Sequence, residues 1–330
     1  MNNAILMKLL IEYLLPFIII MGAAIVYFKI APHFNIIDKP NERSSHNVPT
    51  IRGGGIIFLV SAILFFFWNS YSYPFLLASV LVSGIISFID DIRTVNNRLK
   101  FSVHVLSVLL IFKECELLTT LPPLYLAGIG ILVIGVINAY NFMDGINGIT
   151  GLYSLALIVP LFLTEPNQKL KSLELFSIIA LLIFNFYNTR KKARCFAGDV
   201  GSISLAILIV FLLIMRIKQT NQFAYIGLLL VYGIDSVYTI AQRLYQRENI
   251  FKPHRKHLYQ YYSNEKKIPH IWVSIVYAVI QFVISLAIVY GYLNLLGLLL
   301  LLIFLSVVYW VLKAPLIKIA RHKNNLNKFS

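Results

Sequence analysis

Residues 121–163 read LPPLYLAGIGILVIGVINAYNFMDGINGITGLYSLALIVPLFL. Two apolar runs, 121–137 and 148–163, are joined by a polar stretch that holds one carboxylate and three asparagines. Each run approaches the ~20 residues that a helix needs to cross a hydrocarbon core. The stretch therefore reads as two membrane spans with a chemically equipped turn between them. Outward from it the pattern recurs, with further spans over 9–30, 54–68, 74–90, 101–112, 172–187, 200–215, 222–241, 271–290 and 294–312. The sequence predicts an all-α fold, a polytopic transmembrane helical bundle of about eleven helices. The count is ten if 101–112, which is short and contains His104, does not cross.

Composition agrees. The chain is 58% hydrophobic and 13% charged, where soluble domains carry about 25% charged residues. Apolar runs along the whole sequence exclude a soluble domain behind a single leader or anchor. Cys115 and Cys195 have neither metal-type nor CxxC spacing, so no disulfide framework is expected. The net charge of +15 sits in short loops between apolar runs, without a basic stripe or a nucleic-acid module. Nucleic acid is thus an unlikely partner class, and the basic residues read as topology determinants and contacts to anionic membrane lipids.

With eleven spans, loops alternate sides, and 22 of the 29 Lys and Arg residues fall on one side against six on the other. Cytoplasmic loops carry the excess, which puts the N-terminus outside and the C-terminus in the cytoplasm. No repeat or low-complexity tract divides the chain, so residues 1–330 form one membrane domain. Its last cytoplasmic loop, 242–270, is the longest and is long enough to fold as a small cap.

Five polar clusters fall on that basic side: 38–55 (DKPNERSSHNVPTIRGGG), 88–92 (FIDDI), 138–148 (NAYNFMDGING), 193–202 (ARCFAGDVGS) and 253–260 (PHRKHLYQ). Asp90 and Asp91 end an apolar helix, where adjacent carboxylates are costly unless they meet a cation, a proton or water. They read as a solvated helix end, a Mg²⁺ contact, or a base toward a phosphate nucleophile. Asn138, Asn141, Asp144 and Asn147 recur every three residues, which keeps them roughly on one side of a helix end. The amides suit uracil, ribose or sugar hydroxyls, and Asp144 is the one charge available there for metal or nucleophilic work.

Asp199 precedes a span, where Asp is also a good N-cap. With two other aspartate clusters on the same face it reads as a Mg²⁺ ligand. His254 and His257 lack a third partner for zinc, so with Arg255 they read as anion-binding groups. Arg43, His46 and Arg52 read the same way, with Gly53, Gly54 and Gly55 leaving the backbone open to phosphate.

In this order and at these intervals, the five clusters resemble the polyprenyl-phosphate N-acetylhexosamine-1-phosphate transferases (glycosyltransferase family 4). The run DKPNERSSH, PTIRGGG, DD, NxxNFMDGxxG, GDxGS and HRxHLYQ is similar to the branch that initiates O-antigen and other surface polysaccharides. The resemblance covers nearly the whole chain. It implies a bacterial inner-membrane enzyme that takes UDP-N-acetylhexosamine and undecaprenyl phosphate to undecaprenyl-diphospho-sugar and UMP, with Mg²⁺ as cofactor and a homodimer as the expected assembly. It implies catalytic roles for Asp90, Asp91 and Asp144, metal binding by Asp199 with Asp91 or Asp144, and substrate binding by Asn138, Asn141, His254, Arg255 and His257. Two departures stand out: Asn147 occupies a position where the family often has a second aspartate, and NTRKKARCFA, before GDVGS, lacks the usual proline. Asp144 as a covalent nucleophile is the other mechanism, and a secondary transporter with cytoplasmic-side carboxylates is the other class.

Overall fold

The computed structural model describes residues 7, 10–40, 48–250 and 254–326, the last seven by backbone alone. After a π-helical turn at Leu10–Leu14 come α1 (Leu15–His33), α2 (Ile56–Trp68), α3 (Pro74–Ile92), α4 (Asn97–Glu114), α5 (Pro123–Met143) and α6 (Ile149–Thr164). There follow α7 (Gln168–Asn188), α8 (Gly198–Thr220), a 3₁₀ turn (Phe223–Leu229) running into α9 (Leu230–Tyr245), α10 (Leu258–Asn264), α11 (His270–Val289) and α12 (Leu295–Leu326). Strands β1 (Ile37–Asp38) and β2 (Thr50–Ile51) pair antiparallel, with Ile37 opposite Ile51.

Every one of the eleven expected spans falls on a helix. Eight of the helical segments are long and apolar enough to cross a membrane, while α2 and α6 are shorter apolar helices. The third exception is α4. It extends further at both ends than the expected 101–112, but it includes Arg98, Lys100, Lys113 and Glu114. Large apolar side chains such as Leu124, Ile131, Phe186, Val283 and Phe304 are exposed on the outside of the bundle. Lipid, as solvent, removes the cost that water would impose on them. The chain is a multi-pass membrane protein.

Local signals set the helix ends. Pro74 and Pro123 sit at first helical positions, where a missing N–H costs nothing. Asn96 and Asn167 cap α4 and α7, accepting from Arg98 N–H at 2.9 Å and Lys169 N–H at 2.9 Å. Asn221 closes α8 in the left-handed region, at φ 54°. Helix α8 is the core, buried almost continuously from Val200 to Leu213. It packs against α3 and α5, with α2 and α7 paired beside it and α6 lying along α11.

One hinge within the bundle is held by a side chain. Where the 3₁₀ turn passes into α9, Gln281 of α11 accepts from Val231 N–H at 3.1 Å and donates to the Gly227 carbonyl at 3.1 Å. Tyr153 of α6 donates to the same Gln281 oxygen at 2.8 Å and accepts from Tyr232 N–H at 3.2 Å. Gln281→Leu leaves three buried polar groups without these partners, each worth about 1–3 kcal/mol when orphaned. The variant should lose roughly 3 kcal/mol of stability or more, read as a lower midpoint in a detergent unfolding titration, whereas Gln281→Glu, which keeps an acceptor, should lose less.

Candidate active site

The site is built where α3 and α5 end and α8 begins. Asp91, near the end of α3, reaches across to the first turn of α8: Asp199 N–H donates to its Oδ1 at 2.9 Å and Val200 N–H to its Oδ2 at 3.1 Å. A helix start leaves N–H groups unpaired and carries partial positive charge, so a buried carboxylate satisfies both. Arg52 completes the arrangement, with Nε 2.8 Å from Asp91 Oδ1 and Nη2 3.6 Å from Asp199 Oδ1. The Arg52 carbonyl is held in turn by the Tyr27 hydroxyl at 2.6 Å.

The glycine run that precedes α2 serves this packing rather than an open phosphate cradle. Gly54 N–H and Gly55 N–H donate to the carbonyls of Phe196 and Ala197 at 2.8 and 3.1 Å, and Ile51 bridges to Cys195. A Cβ on Gly55 would overlap the Cα of Gly201, and one on Gly54 the Sγ of Cys195. Gly198, at φ 71°, adopts a backbone that disfavours side chains, and a Cβ there would overlap Asp91. The 52–55 and 195–201 segments are thus pressed backbone to backbone. Gly55→Ala should cost roughly 3 kcal/mol by overpacking and lower the thermal midpoint, while Gly22→Ala, whose Cβ meets open space, should leave it unchanged.

This packing puts four carboxylates together. Asp90 and Asp199 lie close enough to feel each other's charge, and Asn141 lies within reach of Asp199. Asp90 is also held by Lys100 Nζ at 2.8 Å and Val95 N–H at 2.7 Å. Asp144, at the end of α5, accepts from the Thr150 hydroxyl at 2.7 Å and feels the charges of Asp199 and Arg52. Burial, with the Asp199 charge adding to it, pushes the Asp144 carboxyl up to about 6.

The folded chain therefore holds this proton to higher pH than the unfolded chain does. Its stabilising effect is present in acid and is lost as pH rises through about 6. In EDTA, Asp144→Asn should match the wild type in thermal stability near pH 4.5 and exceed it near pH 8. A gap that closes with rising pH would contradict this assignment.

The family model for glycosyl transferase family 4 matches residues 73–217, the segment that carries all four of these carboxylates. A phospho-N-acetylmuramoyl-pentapeptide-transferase of Wolbachia sp. subsp. Brugia malayi (strain TRS) is 30% identical over 239 residues, covering 63% of this chain and 72% of that one. The chain belongs to glycosyl transferase family 4. Other members are similar over more of its length. A probable undecaprenyl-phosphate N-acetylglucosaminyl 1-phosphate transferase of Bacillus subtilis (strain 168) is 20% identical over 280 residues, 77% of each chain. An undecaprenyl-phosphate alpha-N-acetylglucosaminyl 1-phosphate transferase of Thermotoga maritima is 26% identical over 235 residues, 69% of this chain and 73% of that one.

Within this family 4 framework, the expected site residues hold different positions. Asp91 turns both of its oxygens to the α8 N-terminus and pairs with Arg52. Asn147 is buried: its side-chain amide donates to the Arg190 carbonyl at 2.7 Å, and its backbone carbonyl accepts from Ser274 at 2.9 Å. Asn138 turns its amide back onto the Ile134 carbonyl of its own helix at 2.8 Å. Arg43 and His46 lie outside the described residues.

Of the expected 242–270 loop, residues 242–245 continue α9, and among the described residues Leu258–Asn264 form the short helix α10, docked on the Asp144 turn. Tyr259 donates to the Phe142 carbonyl at 3.1 Å, and Gly145 leaves space for that hydroxyl. His254 stacks on His257 with ring centroids 5.0 Å apart, and Arg255 is half-buried beside them. Burial, together with the neighbouring His257, Arg243 and Lys256, pushes His254 down to about 3. It is therefore neutral across the physiological range.

Sequence reasoning missed three residues that organise the site. Lys100 closes the basic segment between Asp91 and the expected span 101–112 and had no motif around it. Asn188 joins two turns, accepting from Gly148 N–H at 2.6 Å and donating to the Cys195 carbonyl at 2.8 Å. Asp235, an acidic residue within an expected span, was itself a signal, since an intramembrane carboxylate is rarely idle.

Proposed function

We propose that this protein transfers N-acetylhexosamine 1-phosphate from a UDP-linked sugar to undecaprenyl phosphate, releasing UMP and leaving a lipid-linked first sugar for a surface polysaccharide of the O-antigen type. The observation that carries the reading is the gathering of Asp90, Asp91 and Asp199 where α3 ends and α8 begins, held by Lys100, Arg52 and the first N–H groups of α8. The names of the family relatives, two of them undecaprenyl-phosphate N-acetylglucosaminyl 1-phosphate transferases, support the acceptor and the transferred group.

Carboxylates that feel each other's charge inside protein are stabilised by a proton or a cation close to them. Mg²⁺ fits this donor set, which is made of hard oxygens from two aspartates and a carboxamide. Among the described residues no three His, Cys, Asp or Glu side chains gather as a closed cage. Mg²⁺ is commonly held by one or two carboxylates and completed by substrate phosphates. Asp90 and Asp199 would hold it, with Asn141 beside them, and when bound it would neutralise the diphosphate and the developing charge on the leaving UMP.

The chain's own residues supply the rest. An oxygen of the lipid phosphate attacks the phosphorus bonded to the sugar. The bond from that phosphorus to the bridging oxygen breaks, and UMP leaves with the electron pair. A phosphate monoester is already largely dianionic near neutrality, its second pKa being about 6, so positioning matters more than proton removal. Lys100 pairs with Asp90 and adds positive charge where two anions must meet. Arg52 holds Asp199 in place, and the half-buried Arg255, on the loop that also carries the buried His257, supplies positive charge for the diphosphate. Asp144 remains the candidate for the covalent alternative, because it is the one carboxylate of the four that no basic side chain pairs with directly among the described contacts.

The site end of the bundle carries most of the Lys and Arg residues. The basic bias supports a cytoplasmic active face, an outward N-terminus and an inner-membrane location. The test is UMP release by detergent-purified protein given undecaprenyl phosphate, Mg²⁺ and a panel of UDP-N-acetyl sugars. Release with at least one sugar is expected, abolished by EDTA and reduced at least ~100-fold in Asp199→Asn, in line with the loss of a main electrostatic contact. Folded protein that releases no UMP with any sugar would refute the transferase reading.

A further inference from the structure

Beneath the 254–257 loop lies a polar cluster that the reaction above does not use. Asp235, on α9, is buried inside the bundle at 1% exposure and gathers donors from four elements. Its Oδ2 accepts from the Tyr277 hydroxyl at 2.7 Å. Its Oδ1 accepts from Leu258 N–H at 3.0 Å, Tyr309 at 3.0 Å and Thr239 at 3.2 Å. Lys313, fully buried, donates its ammonium to the oxygens of Thr239, at 2.7 Å, and Tyr309. Those two hydroxyls, having accepted from Lys313, point their protons at Asp235.

The carboxylate is thus an acceptor on every side, and this decides the state of the histidine that touches it. His257 Nδ1 lies 3.3 Å from Asp235 Oδ1. An oxygen that only accepts requires a donor there, so Nδ1 carries a proton whether the ring is neutral or charged. The other ring nitrogen, Nε2, is buried and has no hydrogen-bond partner among the described residues. A buried polar atom without a partner is costly unless something else reaches it. His257 sits two residues before Tyr259, which docks on the Asp144 turn.

We propose that Asp235 is a positioning residue for His257: it fixes Nδ1 as the protonated nitrogen and aims Nε2 at an oxygen of the substrate diphosphate. The inference deepens the transferase reading and rests on it for the identity of that oxygen. Asp235 itself touches no substrate. A carboxylate behind a histidine that sets its tautomer is a recurring second-layer device, and its loss commonly costs roughly 10- to 100-fold in activity. The competing account is that Asp235 merely pins the loop, since it also accepts from the first N–H of α10.

Two measurements on the full-length protein in detergent separate these accounts. The first is histidine ¹⁵N NMR on ¹⁵N-His-labelled wild type, with His257 assigned by its disappearance in His257→Leu. A protonated Nδ1 is expected. A neutral ring carrying its proton on Nε2 would overturn the proposal without any reference to activity.

The second is a double-mutant cycle on UMP release. Asp235→Asn keeps the volume and one acceptor for Leu258, and should lower kcat by roughly 10- to 100-fold with KM for the UDP-sugar little changed. In the His257→Leu background the same substitution should have almost no further effect. An undiminished loss in that background would make Asp235 a structural pin and overturn the proposal. Wild-type protein that releases no UMP would sink the transferase reading, while the NMR result would still judge the Asp235–His257 pair.

Discussion

A helix start buried in protein must find partners for its first N–H groups, and in this chain α8 finds them in Asp91, a residue that belongs to another helix. That single carboxylate ties the end of α3 to the beginning of the most buried helix and draws Arg52 in from a third segment. The local positive end of α8 and the guanidinium together make a buried negative charge tolerable. Asp91 is spent in this way, while its chain neighbour Asp90 turns to Lys100 and the Val95 N–H, close enough to Asp199 to feel its charge.

The glycines make the same arrangement sterically possible. Residues 52–55 and 195–201 approach so closely that Gly55 and Gly201 meet through their backbones. A similar economy recurs at the opposite end of α3, where Glu114 of α4 accepts from Phe75 and Leu76 N–H at 2.6 and 3.0 Å. In both cases an acidic side chain on one helix satisfies the start of another. The bundle is thus cross-braced at both ends by carboxylates, while its middle is held by apolar packing and the Gln281 hinge.

Much of this was legible from residue order, because lipid imposes strong rules. Apolar length placed each expected span on a helix. The side chains that would meet across the site were harder to read. Asp90 and Asp91 are adjacent and chemically identical, so only the helix phase, which turns one toward α8 and the other toward Lys100, tells them apart. Asn147 looked like its neighbours in the asparagine series, yet it faces the 188–190 turn and is spent on backbone. The glycine run was ambiguous for the same reason, since an open backbone and a crowded backbone both demand glycine. Asp235 was visible as a charge in a span, but its partners come from 42 and 74 residues away along the chain.

Helix α2, of 13 residues, bears on what surrounds this site. At 1.5 Å per residue it is about 20 Å long, roughly 10 Å less than the thickness of a hydrocarbon core. It begins at the crowded glycines beside Arg52 and ends at Trp68, a residue type favoured at the membrane–water boundary. Its first half is nevertheless mostly buried, as are the three glycines before it, so this end of the short helix is framed by protein rather than by lipid. The missing length is made up by neighbouring helices, and the backbone beside Arg52 is braced on every side by the bundle.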